Sequence, residues 1–382
     1  MNCIEGELMK KVGIMSMQRI ANYGSFLQAY ALKQLIEELG CRVEFVDYHV
    51  GVPVIKENVD SKNKFVRKFE KGLETFRYQA PFTHKLAFIR YKQSFSKKYM
   101  PLLEITNEMN YNPILDCLVI GSDEVFNCIQ KNSNVGYSTE LFGKDNHAKR
   151  LFTYAASFGN TTLEKLEKYK KADEVGILLK KFDAISVRDA NSGAIVEKLT
   201  GKEPVYNLDP VLTYDYMKYC DKIPKLQADE KYMILYAYAG RISNYEAEWI
   251  SDYARKKKLK VYAIGGIQKC ADHFVSCSPF EVLAYFRNAE EVITDTFHGS
   301  IFSVITHRPF STLIRKSIGN SYGNEEKLSD LLERLELSSR MTTNIEDVEN
   351  INDKTIDYVR IDELLKKHRK VAKEYLQKNL EG

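Results

Sequence analysis

What most restricts the fold of this chain is a repeated alternation of short apolar runs, polar glycine-bearing loops and helical patterns. Val12-Gly-Ile-Met-Ser16 is a short apolar segment, followed by the polar stretch Gln18 to Ser25. A helical pattern then runs from Phe26 to Leu39 and stops at Gly40, and Cys41 to Tyr48 alternates like a strand. Strand, loop, helix, glycine and strand make one βαβ unit, whose parallel strands require a right-handed crossover.

The same grammar returns along the chain. Cys117 to Ser122 reads as a buried strand ending in the loop Gly121-Ser-Asp-Glu124, and Leu151 to Ala156 as another ending at Ser157-Phe-Gly159. Asp183 to Arg188 and Val205 to Leu208 add two short strands around a helix at Ala190 to Leu199, and Asp209-Pro210 reads as the exit from a first domain. A second set follows: strand Tyr232 to Tyr238, helix Asn244 to Lys257, strand Lys260 to Ile264, helix Pro279 to Asn288, strand Glu291 to Thr294, and a helix starting near His298. Two α/β half-molecules, each a parallel sheet with helices on both faces, are the economical reading. The expected boundaries are 11–210, with a helical insertion near 60–100, then 211–345, then a helical tail over 346–382.

Composition narrows the partners. The 56 basic and 52 acidic side chains leave a net charge of +4 with both signs interspersed, which argues against nucleic acid. Seven scattered cysteines with no CxxC argue against a disulfide framework or a zinc cluster, and the histidines show no metal-ligand spacing. Met1 to Lys11 carries Glu5 and Glu7 and no apolar stretch suited to a signal peptide, and no long apolar run follows, so a cytoplasmic protein is expected. The basic, aromatic segment Phe65 to Tyr99 can lie peripherally on an anionic membrane surface, although a solvated helix face with buried aromatics is the commoner arrangement.

Chemistry concentrates at the predicted strand ends. In Val292-Ile-Thr-Asp-Thr-Phe-His-Gly-Ser300 a buried strand runs out into a helix start, where free N–H groups and the helix dipole suit a phosphate. Gly299 allows close approach, and His298 can add a hydrogen bond or a proton; a capped helix with a satisfied histidine is the alternative. Arg188 sits where a strand gives way to a helix that Asp189 or Asn191 can cap. It offers a planar fork to a carboxylate or phosphate, or else a surface ion pair with Asp189 or Glu197. The loop Asn22-Tyr23-Gly24-Ser25 has the usual place for ligand contacts but no GxGxxG and no Walker lysine. Asp123 and Glu124 can supply a general base, or simply cap a following helix.

Taken in order, these segments resemble the polysaccharide pyruvyl transferase family: Asn22-Tyr-Gly-Ser-Phe-Leu-Gln-Ala-Tyr-Ala-Leu32, Gly121-Ser-Asp-Glu-Val-Phe-Asn127, Tyr154-Ala-Ala-Ser-Phe-Gly159, Ser186-Val-Arg-Asp189, Leu208-Asp-Pro210, and Ser278-Pro-Phe-Glu281 leading into Asp295-Thr-Phe-His-Gly-Ser-Ile-Phe-Ser303. The resemblance spans about residues 11–340. It implies two Rossmann-like domains facing across a cleft, similar to GT-B glycosyltransferases, with the acceptor on the N-terminal side and the donor on the C-terminal side. It further implies phosphoenolpyruvate as donor and co-substrate, no cofactor, and a cyclic ketal formed across two hydroxyls of a glycan or lipid-linked saccharide. His298 matches the family's histidine and Arg188 an arginine associated with donor binding. Some relatives carry arginine where this chain has Thr296, so Arg241, Arg315 and Lys316 become candidates for the missing cation.

On this basis Thr296, Phe297, His298, Gly299 and Ser300 are expected to hold the donor with Arg188. Asn22, Tyr23, Gly24, Ser25, Ser122 and Ser157 are expected to meet the acceptor. His298 is the expected acid, and Asp123 or Glu124 the base. Two rivals share the architecture: a sugar-nucleotide glycosyltransferase, and a non-catalytic binding protein of glycan assembly.

Overall fold

In the computed structural model, which describes residues 9–55, 75–130, 134–226, 229–316 and 323–381, the strand-forming runs gather into two six-stranded sheets. The first contains β1 (Lys11–Met15), β2 (Arg42–Phe45), β3 (Cys117–Asp123), β4 (Arg150–Ala156), β5 (Ser186–Val187) and β6 (Val205–Tyr206). Its order is β2-β1-β3-β4-β5-β6, with every pair parallel. The second contains β7 (Tyr232–Tyr236), β8 (Lys260–Ile264), β9 (His273–Phe274), β10 (Glu291–Thr294), β11 (Phe310–Leu313) and β12 (Met341–Thr342). Its order is β12-β11-β10-β7-β8-β9, again all parallel. The expected pair of Rossmann-like α/β halves is therefore the fold.

Parallel strands must be covered on both faces, and the alternation of side chains divides them between cores. Val12, Ile14, Val119, Phe152 and Tyr154 of the first sheet, with Tyr232, Ile234 and Tyr236 of the second, enter one central core shared by the two halves. Met15, Leu118, Ile120 and Leu151 point the other way into a core of the first half, and Met233 and Leu235 into a core of the second.

The helices that matter for the cleft start at caps readable in the sequence. Asn22 caps α1 (Tyr23–Glu37), its side chain accepting the Ser25 N–H at 2.7 Å. Asp189 caps α3 (Ala190–Thr200), which follows α2 (Phe82–Tyr99), and Asp209 caps the single turn α4 (Pro210–Thr213). Capping boxes open α5 (Asn244–Lys257) at Ser243/Glu246 and α6 (Pro279–Asn288) at Ser278/Glu281. Thr296 caps α7 (Phe297–Ile305), accepting the Gly299 N–H at 2.9 Å. The helix expected near His298 thus begins one residue earlier, because the β-branched hydroxyl ahead of Phe297 takes the capping role.

Aromatic contacts fasten the halves to each other. Phe26 on α1 meets Phe280 on α6 edge to face at 5.7 Å, and the Tyr23 hydroxyl donates to the Cys277 carbonyl at 3.1 Å. From α2, Tyr91 reaches Tyr23 at 5.4 Å and Phe88 reaches Phe274 of β9 at 5.5 Å, so this helix bridges both halves. Each such pair contributes roughly 0.5–1.5 kcal/mol beyond the area it buries. Phe88, Tyr91 and Phe95 are buried, as the solvated-face alternative requires; the remainder of the basic segment, through residue 74, lies outside the described residues.

Two further expectations need amending. The runs 183–188 and 205–208 shorten to the two-residue strands β5 and β6, where Val205 and Tyr206 stand about two-fifths exposed at the sheet edge. The terminal stretch does not stand apart as a tail. After α8 (Glu325–Arg334), α9 (Tyr358–Glu381) returns to the first half: the Tyr375 hydroxyl donates to the Thr153 carbonyl at 2.8 Å, and Ile361, Leu365, Ala372, Leu376 and Leu380 join the shared core. Among the described residues, no helix is long and apolar enough to cross a membrane.

Candidate active site

In an open parallel sheet the strand order reverses at a switch point, and the loops leaving the strands there splay apart to form a crevice. The first sheet switches between β1 and β3, the second between β7 and β10. The two crevices face each other and form one cavity of about 140 Å³. Met17, Ile20, Asn22, Gly24 and Ser25 line it from beyond β1, and Asp123 and Glu124 from the end of β3. Tyr238 and Arg241 enter beyond β7, and Asp295, Thr296, Phe297 and His298 beyond β10. Arg188 after β5, with Asn324 and Lys327 at the start of α8, completes the polar wall.

Arg188 is 5 % exposed, so its charge requires partners. Nη1 donates to Oδ2 of Asp209 at 3.1 Å, Nη2 lies 3.6 Å from Oδ1 of Asp123, and the guanidinium stacks over the Phe297 ring at 4.7 Å. Burial opposes its charge, but Asp123, Asp209 and Glu124 outweigh burial and raise its pKa further. The surface pairing with Asp189 or Glu197 is therefore not what forms. Asp189 instead caps α3 through the Ser192 N–H and accepts the Ser157 hydroxyl at 2.6 Å.

Asp209 also faces His298, whose Nε2 is 3.7 Å from the carboxylate oxygen that holds Arg188. That distance is too long for a hydrogen bond, and Nε2 has no hydrogen-bond partner among the described residues. Burial works to raise the Asp209 pKa, yet His298 and Arg188 together hold it below its ordinary value. The other face of the imidazole rests on α1: a Cβ built on Gly24 would sit 2.2 Å from Nδ1. Glycine at 24 is thus a condition for the ring to lie where it does.

The acids of the N-terminal wall are already engaged. Asp123, held at a left-handed φ of 80°, accepts the Ser25 hydroxyl at 2.9 Å and the Glu124 N–H at 2.9 Å. Glu124 accepts from Asn127 at 2.9 Å and pairs with Lys327 of the opposite half at 3.2 Å. Neither caps a helix. On the C-terminal wall, Asp295 is fully buried and neither carboxyl oxygen has a hydrogen-bond partner among the described residues; Arg241 approaches only to 3.6 Å. Burial pushes its carboxyl up, against the opposing charges of Arg241 and Arg315.

Several expected contacts do not reach the cavity. The Ser122 hydroxyl donates to the Ala155 carbonyl, the Ser157 hydroxyl is used by Asp189, and Tyr23 is bound to Cys277. Gly299 and Ser300, in the first turn of α7, are buried outside the cavity lining, with Ser300 hydrogen-bonded to Thr312. Each of the four hydroxyls meets a neighbouring element before it meets the cleft, and the Gly299 N–H is taken by the Thr296 cap. Of the three candidate cations, Arg241 lines the cavity, Arg315 turns to Glu246 at 2.6 Å, and Lys316 is exposed away from it. The chemistry-bearing residues missed are Asp209, Asp295, Asn324 and Lys327. Asp209 and Asp295 stand inside the quoted segments, where a domain exit and a strand end had absorbed them, whereas Asn324 and Lys327 carry no local signal.

Fold and cleft define a two-lobed α/β protein whose polar cavity lies at the facing switch points of its two sheets. The chain belongs to the polysaccharide pyruvyl transferase family, whose model matches residues 22–317. No curated protein matches it. Among solved structures it is similar to UDP-N-acetylglucosamine 2-epimerase from Rickettsia bellii, at 10% identity and a TM-score of 0.49 over 97% of each chain. S. aureus MnaA in its UDP co-structure gives 10% identity and a TM-score of 0.48, covering 94% of this chain and 90% of that one. UDP-GlcNAc 2-epimerase from Methanocaldococcus jannaschii gives 10% and 0.47, covering 91% and 93%.

Proposed function

We propose that this protein transfers the pyruvyl unit of phosphoenolpyruvate to two hydroxyls of a saccharide, forming a pyruvate ketal and releasing phosphate. The observation that carries this reading is that the buried Asp209 carboxylate faces both Arg188 and the His298 imidazole beside the start of α7, at the edge of a small cavity. The Phe297 and His298 N–H groups, ahead of the Gly299 N–H that Thr296 caps, have no intrahelical acceptor and favour the donor's phosphate, while Arg188 pairs with its carboxylate. At about 140 Å³ the cavity is smaller than the roughly 300–1,000 Å³ of sites for larger ligands, which favours a three-carbon donor over a nucleotide sugar.

The reaction requires a proton on the donor's methylene carbon, attack of one acceptor hydroxyl on the resulting cationic carbon, and departure of phosphate as a second hydroxyl closes the ring. In this reading His298 acts as the acid, and Asp209, 3.7 Å away, stabilises its cationic form as a carboxylate does behind a catalytic imidazole. Asp123, which already accepts a hydrogen bond from the Ser25 hydroxyl, is in this reading the base that takes a proton from the sugar. Each hydroxyl proton lost is matched by the one gained at carbon and the one carried off by phosphate, so no cofactor enters the balance.

The test is mass spectrometry of a synthetic or lipid-linked glycan after incubation with phosphoenolpyruvate, with phosphate measured in parallel. One added pyruvate ketal per released phosphate is expected. Transfer from a nucleotide sugar with none from phosphoenolpyruvate would replace this reading with that of a glycosyltransferase.

A further inference from the structure

The carboxyl of Asp295 is left idle by the mechanism above, although its position is the least comfortable in the cleft. It is 0 % exposed, it lines the cavity, and both its oxygens lack a hydrogen-bond partner among the described residues. Arg241 stands 3.6 Å away, beyond hydrogen-bond reach, and is itself about a third exposed. The backbone at this point is fixed: the Asp295 carbonyl accepts Nδ2 of Asn324 at 2.6 Å, and that amide is held in turn by the Leu313 carbonyl at 3.1 Å and the Arg315 N–H at 2.6 Å.

An ionised carboxylate so enclosed makes no hydrogen bond in place of its lost water, and the charges of Arg241 and Arg315 offset burial only in part, whereas a protonated carboxyl is neutral and carries one O–H to give. Asp295 also stands two residues ahead of Phe297, at the end of α7 where an anion is favoured. As a carboxylate it would repel that anion. As an acid it would bind it, the arrangement by which an apolar site keeps a carboxyl neutral so that it can donate.

We propose that Asp295 is a neutral hydrogen-bond donor to an oxyanion of the ligand held at the start of α7, and so a specificity-determining residue of the cleft for phosphate-bearing acids. The assignment rests on the donor reading given under the proposed function. The groups acting on Asp295 are Arg241 and Tyr238 from the segment after β7, Arg315 from beyond β11 and Glu246 from α5. Asp123, Glu124, Lys327, Arg188 and His298 line the remaining walls. The donating form is present below the raised pKa of the carboxyl and is lost as pH rises through it.

The experiment is calorimetric titration of the full chain with inorganic phosphate, and separately with phosphoenolpyruvate, across a pH series for wild type, Asp295→Asn and Asp295→Ala. Asn keeps a neutral N–H donor, so it should bind as wild type does at low pH and more tightly at high pH, where the wild-type carboxyl ionises. Ala should weaken binding by about 10–100-fold, the loss of one hydrogen bond to a charged group. Thermal melting should leave Asp295→Asn at or above the wild-type midpoint, because the carboxyl removed makes no hydrogen bond and loses only the 3.6 Å charge contact with Arg241. The inference is overturned if Ala binds phosphate as wild type does, if Asn weakens as much as Ala, if the ratio of wild-type to Asn affinity does not fall with rising pH, or if wild type binds neither anion. Ligand binding with the expected variant pattern but no ketal product would instead remove the pyruvyl-transfer reading and leave the role of Asp295 standing.

Discussion

Asp123 and Asp295 hold corresponding places in the two halves, each at the end of a strand beside its sheet's switch point, yet their surroundings are opposite. The Asp123 carboxylate is engaged by Ser25, the Glu124 N–H and the Arg188 charge, while the Asp295 carboxyl has no hydrogen bond among the described residues. The N-terminal wall thus has both its carboxylates engaged, with Arg188 and Asp209 paired behind it. The C-terminal wall leaves polar groups unspent, which stabilises nothing until something binds. Stability should therefore reside in the first wall and recognition in the second.

The comparison breaks most readily at His298, on the C-terminal wall. His298→Ala should lower turnover by about 10²–10⁴-fold, as loss of a general acid does, with the unfolding midpoint in urea nearly unchanged. A matching drop in stability would show that the imidazole is structural. Next in size is Arg188, on the N-terminal wall. Arg188→Met leaves Asp209 buried without its cation and should cost about 3–5 kcal/mol in denaturant unfolding, the penalty for removing one partner of a buried pair.

Smaller effects follow pH. The folded-state pKa of Asp209 is depressed, so the stability it contributes is fully present above the ordinary carboxylate value of about 3.9 and is lost as pH falls through its lower folded value. The raised pKa of Asp295 has the opposite sign: its unfavourable ionisation sets in as pH climbs from the ordinary value through the raised one. Unfolding measured across acid pH should therefore show Asp295→Asn gaining on wild type as pH increases, and Arg188→Met losing part of the acid-sensitive stability. The smallest expected change is at Lys327→Met, whose contact with Glu124 spans the two walls but remains partly open to water. It should alter stability by about 1 kcal/mol or less.

Much of this was legible in the residues. The helices at 244–257 and 279–288 and the strands at 260–264 and 291–294 coincide with their expected spans because capping boxes and uninterrupted apolar runs mark them locally. The strands β9, β11 and β12 were not anticipated. β9 and β12 are only two residues long, and none of the three is framed by a complete βαβ signal. At the site, His298 and Arg188 were recognisable from the segments that carry them. The partners that define their chemistry were not, since Asp209 lies 21 residues from Arg188 and meets it only once β5 and the turn at α4 are folded side by side.

The sequence by itself determined two parallel sheets, the capped helices that cover them, and which strand ends carry acids, a histidine and an arginine, because periodicity and capping are properties of neighbours along the chain. Only the tertiary structure decided that Ser122, Ser157 and Tyr23 turn away from the cleft, that Gly24 makes room for His298, and that Asp123 is satisfied where Asp295 is not. Hydrogen-bond satisfaction depends on which groups from distant segments arrive within about 3 Å of each other, and that is fixed by how the two sheets face.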